Sequence, residues 1–165
     1  MSDKSSSHES MTLAGANRRL PLVRKIAADI VALSHDLADR EDRLKILRRR
    51  GRKQSTGSFH SDELDSIEEI VQRDQKTLEH YVAELSEVGG ELRDASLGIV
   101  EFRGDWPEHD GPVFFGWLHP NDEITYWRPE RSKLTDRRSV FEDSVAGREE
   151  FGDADSPESN GNTDG

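Results

Sequence analysis

The chain has 165 residues, a formal net charge of −11, 32% hydrophobic residues and no cysteine. The missing cysteines exclude disulfides and thiolate metal sites, and no run of about eighteen apolar residues is present to span a bilayer. With no basic-then-apolar secretory layout at the N-terminus, a cytoplasmic protein is expected.

Residues 1–11, MSDKSSSHESM, are Ser-rich and read as a flexible arm. Thr12 suits the N-cap of a short opening turn, and Pro21 suits the first turn of a long helix, where its missing N–H costs nothing. In that helix, expected over about residues 21–49, Val23, Ile30, Leu37 and Leu44 recur every seven residues. Ile26, Leu33 and Leu47 form a second such series, with Arg40 in its vacant position. A second helix, about residues 61–89, repeats the pattern with Leu64, Val71, Leu78 and Leu85, and with Ile67, Tyr81 and Val88 around Asp74. Spacings alternating between three and four residues place an apolar seam on one side of a helix, as in coiled coils. The segment between the helices, broken by Gly51 and residues 54–58, has room only for a turn, so the helices are expected to pair as an antiparallel hairpin. Their charges are opposed: residues 17–53 carry twelve bases and five acids, residues 61–94 eleven acids and three bases. Symmetric placement pairs Leu47 with Ile67, Leu33 with Tyr81 and Arg40 with Asp74.

Gly89-Gly90 ends the second helix. Short aromatic and β-branched segments follow at about 99–102, 113–118 and 123–127, separated by turn residues. They read as a three-stranded antiparallel meander, so the fold class is α+β, with the small sheet covering the base of the hairpin. A four-residue second turn would pair Trp117 with Ile124 and Phe115 with Tyr126. Val100, Phe102, Val113, Phe115, Trp117, Ile124 and Tyr126 then form the core face. Glu101, Phe114 and Trp127 fall in one row on the opposite face, with Gly116 leaving a gap beside it. From Phe141 onward, eight acids against the single base Arg148 give a disordered acidic tail holding −7 of the net charge. One folded domain is therefore expected over residues 12–140.

Thr12-Leu13, Ala16-Asn17, Leu20-Pro21, Leu97 to Phe102, Gly111-Pro112-Val113, Trp117 and Ile124 to Trp127, in that order, resemble the bacterial domain of unknown function 2203 family. The resemblance covers about residues 12–140 and implies a fold but no established activity. The family pattern has Asp where this chain has Glu101, a Gly-Glu pair near Pro120-Asn121, and His where this chain has Arg128; Arg137 matches a recurrent Arg. Two carboxylates and an imidazole could bind a metal or move protons. With two of the three positions changed in chemical type, the resemblance implies that any such site is altered in this chain.

Glu101, Phe114, Trp127, Arg128 and Arg137 are the candidate ligand-binding residues. No cofactor, no metal and no catalytic residue is expected, since the six histidines never form a close-spaced ligand pair. Arg48, Arg49, Arg50, Arg52 and Lys53, at the hairpin tip, are the candidate phosphate or nucleic-acid contacts. Against that reading stand the acidity of the chain and the absence of interleaved aromatics apart from Phe59. The expectation is a non-enzymatic interaction or scaffold module engaging a protein partner or a second copy, with no membrane contact. RNA binding at the tip, or a small-ligand or residual catalytic site beside Glu101 and Trp127, are the alternatives.

Overall fold

A computed structural model describes residues 10–53 and 58–142, without the side chains of 52, 53 and 58–60. Most of the expected N-terminal arm and acidic tail lies outside the described residues. Two helices come first, α1 (Leu13–Lys53) and α2 (Ser58–Glu87). Five strands follow: β1 (Gly90–Asp94), β2 (Ile99–Asp105), β3 (Pro112–Leu118), β4 (Tyr126–Pro129) and β5 (Arg138–Ser139). They form one antiparallel sheet in chain order. The architecture is α+β, but the expected three-stranded sheet has gained an edge strand on each side.

α1 starts earlier than expected. Thr12 Oγ1 accepts the Gly15 N–H at 3.1 Å, and its carbonyl accepts that of Ala16 at 2.9 Å. The cap expected for a separate opening turn therefore starts the long helix itself, and Pro21 lies inside that helix rather than in its first turn. The apolar stripe Ala16, Leu20, Val23, Ala27 and Ile30 is buried against the sheet. That burial favours continuous helix through the position where Pro21 removes a hydrogen bond. At 41 residues, α1 is about 60 Å long at 1.5 Å per residue.

The helices run antiparallel in the expected register. Arg40 pairs with Asp74, Arg43 with Glu63 at 2.7 Å and Arg48 with Glu68 at 2.8 Å. Gly89, at φ +85°, follows α2 in a conformation that suits glycine. The chain then enters β1, whose Gly90, Glu91 and Leu92 pair with Phe102, Glu101 and Val100 of β2 before a bulge at Arg93. Asp94 Oδ1 accepts the N–H of Leu97 and the hydroxyl of Ser96, shaping the turn into β2.

The core lies between the hairpin base and one face of the sheet. Val100, Phe102, Val113, Phe115, Trp117 and Ile124 all face it, as expected. Leu37, Leu44, Leu47 and Val71 are buried outside this cluster, within the distal part of the hairpin. Among the described residues, no helix is long and apolar enough to cross a membrane.

Candidate functional site

The strand phase decides which side chains meet on the outer face. β4 pairs Phe115 with Trp127 and Gly116 with Tyr126, one residue out of the expected phase. The cause is the connection after β3: seven residues, 119–125, separate Leu118 from Tyr126, where four were assumed. Ile124 precedes the strand and reaches the core independently, its N–H donating to Asn17 Oδ1 at 2.8 Å. Tyr126 and Trp127 therefore exchange faces relative to the sequence-based assignment. Trp127 is buried on the core side, stacked on Trp106 at 5.2 Å between ring centroids. It does not join Glu101.

Tyr126 takes the outer position and fills the glycine gap. A Cβ on Gly116 would lie 1.8 Å from Tyr126 Cζ, so the ring crosses β3 where β3 has no side chain. Its hydroxyl thereby reaches Glu101 on β2, donating to Oε2 at 2.9 Å. Arg128, on β4, donates to the same carboxylate through Nε at 2.8 Å and Nη2 at 2.6 Å. Arg93, on β1, adds Nε to Oε1 at 2.6 Å and gives Nη2 to Glu91 at 2.7 Å. Both guanidinium groups also lie against the Phe114 ring, at 4.8 and 4.9 Å from its centroid. The chain after β4 covers the cluster. Arg128 Nη1 donates to the Ser132 carbonyl at 2.7 Å, and Arg137 sits 5.7 Å from the centre of the Tyr126 ring.

Glu101 is 0% exposed. Burial alone raises a carboxyl pKa, but hydrogen bonds from Arg128, Arg93 and Tyr126, with the Arg128 charge, outweigh it and hold Glu101 below the usual carboxylate range. Burial, reinforced by that neighbouring carboxylate, pushes the Tyr126 phenol far above its ordinary value. The four hydrogen bonds fill the roughly four acceptor sites of a carboxylate. A base needs a free lone pair for an incoming proton, and a metal ligand needs one for the metal. In this arrangement Glu101 offers neither.

Of the five candidate residues, the structure brings together Glu101, Phe114 and Arg128, sets Arg137 at the edge, and places Trp127 on the other face. Arg93, Tyr126 and Ser132 complete the cluster and were not among the candidates. Arg93 could have been found from the polar–apolar alternation of Glu91 to Asp94 after Gly90. At the hairpin tip, Arg48 is engaged by Glu68, whereas Arg49 and Arg50 are exposed. Arg52 and Lys53 belong to the last turn of α1, and their side chains lie outside the described residues. Three histidine, aspartate or glutamate side chains able to hold a metal ion are not gathered anywhere among the described residues.

A long helical hairpin seated on a five-stranded antiparallel sheet, with a saturated carboxylate–guanidinium cluster on the far face, defines the class of fold. The model of the family described as "Uncharacterized conserved protein (DUF2203)" matches residues 10–140, and the chain belongs to that family. No curated protein and no solved structure matches it. Glu101 and Arg128, two of the positions singled out by the resemblance, are the two halves of one bidentate pair. Asn121, the third such position, has no hydrogen bond to the cluster; its carbonyl accepts the Trp117 indole N–H at 2.7 Å.

Proposed function

We propose that this protein is a non-enzymatic cytosolic interaction module whose distal hairpin arm faces the partner. The observation that carries this reading is the uneven cover of the hairpin. The sheet packs on α1 from Ala16 to Ile30 and on α2 near Leu85, its β1–β2 turn reaches Val31 and His35, and beyond that the helices have only each other among the described residues. The arm beyond, residues 36–53 of α1 and 58–77 of α2, is about 27–30 Å long at 1.5 Å per residue and adds nothing to the core cluster. The saturated Glu101 cluster supports the same reading, since it serves the fold and leaves no reactive group free.

The arm's flanks suit a protein partner more than a nucleic acid. Arg43 and Arg48, which could hold phosphates, are engaged by Glu63 and Glu68. Ile46, 48% exposed, supplies an apolar contact among them. The test substitutes Ile46→Glu together with Arg49→Glu and measures complexes from source cells by affinity capture and light scattering. Loss of a specific complex, with unchanged melting, is the expected result. Complexes that survive the substitution, or salt-sensitive RNA binding as the main association, would overturn the reading.

A further inference from the structure

Between the first turn of α1 and the β2–β3 connection lies a cleft of about 340 Å³, lined by Thr12, Leu13, Ala14, Asp105, Trp106, Pro107 and Glu108. It lies at the end of the molecule away from the arm and is independent of the reading above. Its walls are fixed by the fold: the Asp105 N–H donates to the Met11 carbonyl at 3.0 Å, tying the start of α1 to the end of β2. Trp106 is held in turn by stacking on Trp127 and by an edge contact with Phe115. A pocket of this size and lining, formed before a ligand arrives, is the usual form of a binding site.

We propose that this cleft binds a lysine or arginine side chain of a protein partner, its aliphatic stem against Leu13, Trp106 and Pro107 and its charged head at Asp105 and Glu108. Neither carboxylate has a hydrogen-bond or ion-pair partner within 4 Å among the described residues; the Arg103 guanidinium acts on Asp105 at longer range and is itself held by Glu130 at 2.8 Å. The helix N-terminus contributes about half a positive charge against these two full negative ones, so the site as a whole favours a cation. An apolar wall beside an anionic rim fits lysine or arginine, whose stems lie on apolar surface while their heads stay at its edge. An indole at the wall adds attraction for that head.

The test titrates isotope-labelled full-length protein with N-acetyl-lysine methylamide, and in parallel with the matching norleucine and glutamate compounds. Expected are amide shifts centred on Leu13, Ala14 and Glu108, a shift of the Trp106 indole N–H, and at least about tenfold tighter binding of the lysine compound, equivalent to about 1.4 kcal/mol. Asp105→Asn with Glu108→Gln should remove the preference while leaving the norleucine affinity unchanged. If that variant fails to fold, the wild-type preference should instead shrink in about 1 M salt. Equal or tighter binding of norleucine or glutamate, shifts located elsewhere, or no shifts would overturn the proposal.

Discussion

At Glu101 a charge sits in the interior of a small sheet, and its neighbours determine the consequence of changing it. Glu101→Gln would replace the anion by a neutral amide and leave the Arg128 guanidinium, itself buried, without its counter-charge. Removing one partner of such a pair typically destabilises by about 3–5 kcal/mol. Urea denaturation should show a loss of that order, and Glu101→Leu with Arg128→Met should cost less than the sum of the single changes. The pH dependence follows from the direction of the shift. The folded pKa is depressed, so the unfolded state binds the proton more readily and stability rises with pH across that range. The contribution is complete above the unfolded value, about 4.3, and is lost as pH falls from there through the folded value. The unfolding free energy of Glu101→Gln should therefore decline less steeply with acidification than that of the wild type; parallel profiles would contradict the assignment.

Gly116 tests the same cluster from the side of shape. Its place under the Tyr126 ring leaves no space for a methyl group. Gly116→Ala should cost about 1–3 kcal/mol by overpacking and should separate the tyrosine hydroxyl from Glu101. The loss should be smaller in a Tyr126→Ala background, where the ring is absent; an equal loss in both backgrounds would mean that β3 itself rejects the substitution.

Among the elements, the two helices were legible in the sequence because a heptad seam states both its period and its partner. The Arg40–Asp74 pair follows from that symmetry, each residue occupying the position where the other helix also interrupts its seam. Asp74 is buried with its side chain 8% exposed, while Arg40 keeps 38% exposure. Arg40→Ala should destabilise by about 1–3 kcal/mol, the usual cost of a buried group left unsatisfied. Replacing both by leucine should preserve or raise the melting temperature while loosening register, read as added heterogeneity in cysteine cross-linking across the arm. The sheet was less legible. Core-facing residues of β2 and β3 stand out by alternation, but the phase of β4 depended on a loop length that composition does not report. Ile124 misled in a specific way: it is core without belonging to the strand, so counting outward from it put Tyr126 inside and Trp127 outside. β1 and β5 escaped notice because five and two residues, mostly charged, carry almost no apolar alternation. The cluster around Glu101 was half visible for related reasons, since Arg93 lies on the unnoticed β1 and Tyr126 on β4, whose phase was displaced.

For the whole molecule, the division between a cooperative base and a projecting arm makes the strongest demand on the fold. The contiguous core draws on α1 up to Ile30, on α2 around Leu85, and on the sheet, with Leu78, Tyr81 and Val88 packed against it. Leu37, Leu44, Leu47 and Val71 hold only the arm together. Replacing residues 38–76 by a short Gly-containing loop keeps the helices in register, because the two cut points are opposed across the hairpin. The shortened chain should unfold in one cooperative transition and keep the near-ultraviolet circular dichroism of Trp117 and Trp127, both in the retained core. Its helix signal should fall in proportion to the residues removed. The acid dependence assigned to Glu101 should also persist, since its four donors all lie in the sheet. A shortened chain that fails to fold, or melts without cooperativity, would show that the arm stabilises the base, and the separation between a folding unit and a partner-facing arm would not stand.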